Sequence, residues 1–137
     1  MGEQHSGILS HVSLGSNDPD RAMRFYDATL ATLGIVRLHT LEGIAAGYGR
    51  QFPEFWIVLP SNEQPASAGN GVHVGFVAES HESVRAFHAA AMAAGASDAG
   101  APGPRPEYGA AYYGCFVMDL DGNKIEATFR DVELSDD

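Results

Sequence analysis

Two histidines stand at matching points of a repeated pattern, and imidazole is a common ligand of divalent metal ions. His11 lies fourteen residues before Phe25, and His73 lies fourteen residues before Phe87. Each histidine falls in a predicted strand that is followed by a predicted helix. Taken singly, a histidine in a strand is more often a surface residue or a satisfied core residue than a ligand. The equal spacing favours a shared role for the pair.

A carboxylate near the end of the chain adds a third group that could bind a metal. Glu126 lies between Ile125 and Ala127 in an apolar predicted strand. Such a strand normally excludes a carboxylate, and a buried charge is costly unless it is paired or metal-bound. The alternative is that the face of the strand carrying Glu126 is open to solvent. The residues alone leave both interpretations open.

The elements that must position these groups follow the same order in each half of the chain. In the first half, alternating apolar residues predict a strand over residues 8–15, and Asp18 before a proline predicts a helix start. Apolar residues at helical spacing continue to Leu33, and Gly34 ends the helix. Three short strands are predicted next, over residues 35–41, 43–48 and 55–59.

The second half repeats the pattern after a linker rich in small and polar residues. A strand is predicted first, then a helix that begins after Ser80 and ends at Gly95. A short strand and a long proline-containing loop, residues 100–109, come before the last two strands. Those strands, residues 112–119 and 124–129, are joined by a turn at Asp121 and Gly122.

We expect a single domain over residues 1–137, because each half is too small to bury a core well by itself. Its first module covers about residues 7–60, its linker residues 61–70, and its second module about residues 71–130. Residues 1–7 and the acidic tail, residues 130–137, are predicted to be loosely ordered.

Composition argues against several kinds of partner and location. The chain has 137 residues and a formal net charge of −10, and Lys124 is its only lysine. Because nucleic acids and anionic membranes call for clustered basic residues, we expect neither as a partner. No apolar run approaches the roughly 18 residues of a bilayer span, and the start lacks a signal-peptide pattern, so a cytoplasmic location is expected. Cys115, the one cysteine, lies in an apolar segment and is predicted to be a buried, inert thiol.

The repeated unit resembles the vicinal oxygen chelate superfamily, which contains glyoxalases, bleomycin resistance proteins and extradiol dioxygenases. The likeness lies in His11-Val12 with Asp18-Pro19, in the segment around His73, and above all in D-x-D-G-N-x-I-E, residues 119–126. It covers roughly residues 7 to 130. The resemblance implies an α+β fold in which two tandem βαβββ modules form a cupped mixed sheet, and it implies a homodimer.

The resemblance also implies a metal site made of His11, His73 and Glu126. Two imidazoles and a carboxylate with open positions suit divalent iron, and they also accept manganese, zinc or nickel. Such an ion would polarise neighbouring oxygens of a small-molecule substrate, with Glu126 and Tyr113 as catalytic groups. Four residues are further candidates for substrate contacts: Trp56, Tyr108, Tyr112 and Arg105.

One position departs from the metal-dependent glyoxalase I pattern. That enzyme has a fourth ligand, a glutamate in the last strand of the first module, and alignment of the two halves puts Trp56 there. Glu54 is the nearest carboxylate on the same side and would need a shift of two residues to replace it. A three-ligand set looks more like extradiol dioxygenases, whose chains are usually longer, or fosfomycin-modifying transferases, which rely on basic residues.

Two functions of different class therefore stand against each other. The first is a metal-dependent enzyme, either a glyoxalase-like lyase or isomerase or an extradiol-type dioxygenase. The alternative is a protein of the bleomycin resistance type, which sequesters a small molecule without metal or turnover. The His, His and Glu set favours the enzyme, while Trp56 mildly favours the binding protein. A purely regulatory or structural dimer is the least favoured.

Overall fold

Each half of the chain folds into a βαβββ module, which confirms the predicted fold class. The computed structural model describes residues 7–131, so residues 1–6 and most of the predicted acidic tail lie outside the described residues. The first module consists of β1 (Val12–Gly15), α1 (Pro19–Ala31), β2 (Val36–Leu41), β3 (Ala45–Gly49) and β4 (Phe55–Val58). The second consists of β5 (His73–Val77), α2 (His81–Ala93), β6 (Ser97–Pro104), β7 (Tyr112–Met118) and β8 (Lys124–Arg130), with a 3-10 turn at Pro106–Tyr108.

The strands form two four-stranded sheets with the same topology. Their orders are β1-β4-β3-β2 and β5-β8-β7-β6. In each sheet the first strand of the module runs parallel to the last, and the other neighbours are antiparallel. The helix makes the crossover that this parallel pairing requires. Strands β1 and β5 therefore lie at sheet edges.

Local capping explains where the two helices begin and end. The side chain of Asp18 accepts a hydrogen bond from the backbone N–H of Arg21, and Pro19 follows it as the first helical residue. Ser80 forms a capping box at the start of α2. Gly34 and Gly95 have φ angles of +73° and +107°, so each provides the left-handed residue that follows a helix end.

Aromatic residues join the modules into one core. Phe55 of β4 and Phe76 of β5 meet edge to face, with ring centroids 4.9 Å apart. Phe76 also lies beside Phe87 of α2, at 6.2 Å. The core residues on the helix side of both sheets belong to one connected apolar cluster. Packing between modules thus supplies the burial that neither module reaches alone.

The D-x-D-G-N segment, residues 119–123, links the two modules by hydrogen bonds, and we call it the clasp. The side chain of Asp119 accepts hydrogen bonds from the Tyr26 hydroxyl and the Asn123 side-chain amide. That amide also donates to the carbonyl of Gly15, at the end of β1, at 3.1 Å. The carboxylate of Asp121 accepts from the backbone N–H of Asn17 at 2.9 Å. The first part of D-x-D-G-N-x-I-E, the most specific part of the family likeness, therefore supports the fold, while Lys124 and Glu126 near its end line a cavity.

Strand β6 extends further than the sequence predicts. Residues 100–104 were expected in a loop, yet they continue β6 as far as Pro104. The pairing with β7 is irregular, because register shifts occur between Asp98 and Gly100 and again before Gly103. An edge strand tolerates proline, whose missing N–H need not join the ladder.

None of the helices described in residues 7–131 is long and apolar enough to cross a bilayer.

Candidate functional site

Three polar side chains meet on the open face of the second sheet. Nε2 of His73 lies 3.0 Å from Oε1 of Glu126, and the hydroxyl of Tyr112 donates to Oε2 of the same carboxylate at 2.6 Å. They come from β5, β8 and β7 respectively. Glu126 is only 9% exposed, so its charge depends on these partners. We call this group the His73–Glu126–Tyr112 cluster.

Strand register and a glycine position His73 beside Glu126. Gly75 is the direct neighbour of Glu126 in the parallel pair, and His73 points to the same face two residues earlier. A Cβ on Gly75 would lie 3.2 Å from Oε1 of Glu126, which is closer than ordinary packing. The absence of a side chain at Gly75 therefore leaves the space that the carboxylate occupies.

A second glycine makes room for the tyrosine ring. A Cβ on Gly114 would lie 2.7 Å from Cζ of Tyr112, so the ring lies directly over this residue. Tyr112 is 4% exposed. Burial, and then the hydrogen bond to Glu126, raises the pKa of Tyr112 far above its ordinary value. The phenol therefore keeps its proton and acts as a donor to the carboxylate.

The cluster forms the floor of an open cavity of about 570 Å³. Tyr108, Arg105 and Phe116 are among its walls. Tyr108 packs against Tyr112 with ring centroids 5.1 Å apart. Arg105 donates to the carbonyl oxygens of Gly103 and Gly114, at 3.1 and 2.6 Å. Three of the predicted substrate contacts, at residues 105, 108 and 112, thus lie in one cavity, which we call the second-sheet cavity.

His11 lies apart from this cluster. It precedes β1, is exposed, and has Nδ1 at 2.9 Å from Oγ of Ser10. It lines a separate groove of about 280 Å³, which His73 and Glu54 also border. Within residues 7–131, no three His, Cys, Asp or Glu side chains are grouped so that they could hold one metal ion. The structure brings two of the three predicted ligands together and leaves His11 outside their reach.

Tyr113 lies on the opposite face of the second sheet. Its ring stacks on His81 with centroids 4.1 Å apart, and its hydroxyl accepts a hydrogen bond from Arg85 at 3.2 Å. Neighbouring residues in a strand point to opposite faces, so only one of two adjacent tyrosines can reach Glu126. That residue is Tyr112, and Tyr113 instead packs beside α2.

Comparison with known proteins gives the family. The profile of the Glyoxalase/Bleomycin resistance protein/Dioxygenase superfamily matches residues 8–127. The chain belongs to this superfamily. A comparison with curated proteins gives no match.

Solved structures of superfamily members share the fold. A glyoxalase/bleomycin resistance protein from Albidiferax ferrireducens is 40% identical, with a TM-score of 0.82 over 91% of this chain and 100% of that one. A fosfomycin resistance protein from Listeria monocytogenes is 18% identical, with a TM-score of 0.65 over 95% and 98% of the two chains. A lactoylglutathione lyase from Agrobacterium tumefaciens is 21% identical, with a TM-score of 0.62 over 92% and 95%. The last two likenesses concern the fold alone.

The donor atoms of the cluster fit part of a divalent metal site. An imidazole nitrogen and a carboxylate oxygen, 3.0 Å apart, are a donor pair that iron, manganese, zinc and nickel accept. The Tyr112 hydroxyl holds the other carboxylate oxygen, as outer groups commonly do for metal ligands. The described part of one chain therefore supplies two of the three expected ligands at the cluster. The third, His11, lies outside it.

The first module presents an indole where the second presents a carboxylate. Trp56 pairs with Ser13 in β1, and its ring lies over Gly47, where a Cβ would be 2.8 Å from the indole. His39 packs against the same ring at 5.7 Å. Trp56 does not line the second-sheet cavity within the described residues.

Five of the described residues that line the second-sheet cavity were not predicted as site residues. They are Ala99, Glu107, Phe116, Lys124 and Arg130. Strand alternation, counted from Glu126, places Lys124 and Arg130 on its face of β8. Phe116 is the direct neighbour of Glu126 in the antiparallel pair. Strand alternation in the sequence therefore carried a signal for Lys124 and Arg130. Phe116 could be found only from the pairing of β7 with β8.

Proposed function

We propose that this protein is a metal-dependent enzyme acting on small molecules, in which His73 and Glu126 bind a divalent ion and His11 supplies the third ligand. The observation that carries the proposal is the His73–Glu126–Tyr112 cluster at the floor of the second-sheet cavity. When bound, the ion would polarise neighbouring oxygens of a substrate. Iron, manganese, zinc and nickel all match the donor set.

The protein's own groups have separate tasks in this proposal. Glu126 is both a ligand and the catalytic carboxylate, since its two oxygens face different partners. Tyr112 holds Oε2 and keeps the carboxylate in one orientation. Because its pKa is raised, Tyr112 remains a hydrogen-bond donor that can stabilise developing negative charge on a nearby oxygen. The proton-transfer role expected for Tyr113 is assigned here to Tyr112, which touches Glu126.

We propose that a second copy of the chain completes the site. Strands β1 and β5 are sheet edges, and an open edge is a template for pairing. Apolar side chains at the two ends of β5 are strongly exposed, with Val72 at 53% and Val77 at 63%. A homodimer joined at these edges would bring His11 of one copy towards the cluster of the other. A cytoplasmic location and a single domain remain predictions from the sequence.

Metal analysis of four variants tests the ligand assignment. We expect near one metal per chain in the wild type, purified without added metal, and loss of that metal in His11→Ala, His73→Ala and Glu126→Ala. Glu107→Gln is the matched control, because Glu107 lines the cavity without joining the cluster. A wild type that contains no metal and takes none up on titration would contradict the proposal.

Two assays then separate the enzymatic alternatives. Oxygen uptake with catechols would identify an extradiol-type dioxygenase, and isomerisation of hemithioacetals would identify a glyoxalase-type activity.

Sedimentation of the wild type and of Val77→Glu tests the dimer. We expect the charge on the β5 edge to give monomers that lose metal together with the association.

Binding without turnover is the second candidate function. Its support is that His73 and Glu126 already satisfy each other at 3.0 Å, and that Trp56 replaces a carboxylate in the first module. In that case ligand affinity would be the same with and without a chelator. A chelator that abolishes ligand binding would count against this alternative.

A further inference from the structure

We infer that the ligand of the second-sheet cavity is a small molecule with an anionic group such as a carboxylate, and that Lys124 binds this group. The inference rests on the proposed function, because it names the substrate class of the same cavity. It comes from the distribution of charge, from the partners of each cation and from the position of one ring.

Positive charge is concentrated in this one cavity. The chain has eight Lys and Arg residues and a net charge of −10, yet Arg105, Lys124 and Arg130 all line the cavity. The carboxylates there are those of Glu107 and Glu126. Three cations against two carboxylates leave an excess of one positive charge. A divalent ion held by His73 and Glu126 would add to this excess, so an anionic ligand is favoured over a neutral one.

The three cations differ in what they can offer a ligand. Arg105 donates to three backbone carbonyls, of Ala101, Gly103 and Gly114, so it holds the loop after β6 in place. The side chain of Lys124 makes no hydrogen bond or ion pair within the described chain, residues 7–131. Its ammonium group lies 4.9 Å from the centroid of the Phe116 ring. The ammonium therefore has donors available for an incoming oxygen.

Arg130 occupies the other side of the cavity. Its guanidinium lies 5.8 Å from the Tyr112 ring centroid, and the residue is exposed. It is six residues beyond Lys124 on the same face of β8, which is about 20 Å along a strand. The two cations therefore start from well-separated backbone positions. Lys124 is the better anchor, since it is only two residues from Glu126, or about 7 Å.

The ring of Phe116 relates Lys124 to the His73–Glu126–Tyr112 cluster. Phe116 packs edge to face against His73, at 5.9 Å, and lies beneath both Lys124 and Arg105. It is also the direct neighbour of Glu126. An anionic group held by Lys124 would therefore lie near the His73–Glu126–Tyr112 cluster.

Two isosteric probes, benzoate and benzamide, test the inference by calorimetry on the metal-analysed protein. They share the ring and differ in charge. We expect benzoate to bind more tightly than benzamide. Lys124→Gln should weaken benzoate binding about tenfold, as expected for losing one charge-assisted hydrogen bond, and leave benzamide unchanged. Arg85→Gln is the control, because it removes one positive charge on the opposite face of the sheet.

Several results would overturn the inference. They are equal binding of benzoate and benzamide, no benzoate binding up to millimolar concentrations, or unchanged benzoate affinity in Lys124→Gln. Metal content, measured on the same samples, keeps this test separate from that of the proposed function. Lys124→Gln with its metal intact and its benzoate preference intact overturns only the inference. A metal-free wild type that prefers benzoate contradicts only the metal.

Discussion

Trp56 and Glu126 occupy the same register position in the two modules of this chain. Trp56 pairs with Ser13, two residues after His11, and Glu126 pairs with Gly75, two residues after His73. Both side chains point to the face of the sheet that lies away from the helices. The two modules therefore offer an indole and a carboxylate at equivalent places, so the metal donors are distributed unevenly between them.

This equivalence predicts a gain of metal affinity in Trp56→Glu. The variant restores a carboxylate at the position of a fourth ligand, and we expect metal to bind about tenfold more tightly as a result. Trp56→Leu is the control, because it loses the same ring contacts with Gly47 and His39 without adding an oxygen. Metal titration of both variants decides the matter. Equal affinities would show that the first module does not face the metal.

The hydroxyl of Tyr112 should support metal binding from outside the ligand set. Tyr112→Phe removes the 2.6 Å hydrogen bond to Glu126, and we expect a loss of metal affinity of about tenfold or more. Gly114→Ala should act in the same direction, since its Cβ would displace the Tyr112 ring. Tyr113→Phe, on the other face, should leave the affinity unchanged. A tyrosine-to-phenylalanine change that is equally harmful at residues 112 and 113 would contradict this assignment.

The clasp between modules should contribute strongly to stability. Asp119 accepts from the Tyr26 hydroxyl, from the Asn123 amide and from two backbone N–H groups, those of Asp121 and Asn123. Asp119→Ala leaves these donors unpaired in a buried place, so we expect a loss of about 3 kcal/mol or more in the free energy of unfolding. Urea denaturation measures this loss.

The neighbouring carboxylate provides the comparison. Asp121 makes one described side-chain contact with the first module, with the backbone N–H of Asn17, in an exposed place. Asp121→Ala should therefore cost less than about 1 kcal/mol. Equal losses for the two alanine variants would mean that the clasp does not depend on Asp119.

Alkaline pH should unfold the protein through its buried phenols. Burial is the largest cause that raises the pKa values of Tyr26, Tyr48 and Tyr112 above the ordinary value of 10.0. The folded state then keeps protons that the unfolded state releases, so their contribution is complete below pH 10 and is lost as pH rises above it. Absorbance at the phenolate band and far-UV circular dichroism should change together. Ionisation of all tyrosines with an unchanged dichroism spectrum would refute this linkage.

Cys115 should be inert in the folded protein. The residue is fully buried, its thiol contacts the carbonyl of Val84, and burial raises its pKa to about 11. We expect no reaction with a thiol-reactive disulfide reagent at pH 8 until denaturant is added, because the thiolate is both rare and inaccessible. Rapid labelling of the native protein would contradict the buried position.

Local patterns in the sequence were enough to predict the modules. The equal spacing from His11 to Phe25 and from His73 to Phe87 predicted two similar units, and Asp18 and Ser80 predicted the helix starts. These signals depend on neighbours along the chain, through strand alternation, helical spacing and capping. Alignment of the two units also predicted that Trp56 corresponds to Glu126, as the strand registers show.

The make-up of the site was decided by tertiary structure. Which of two adjacent tyrosines reaches Glu126 depends on the pairing of β7 with β8, and that pairing also brings Phe116 beside Glu126. The fit of Tyr112 depends on Gly114, whose missing side chain has no signature of its own in the sequence. The separation of His11 from the cluster depends on how the modules pack. Strand register and module packing arise from contacts between residues far apart in the chain, so the sequence could name the chemical groups but not their final distances.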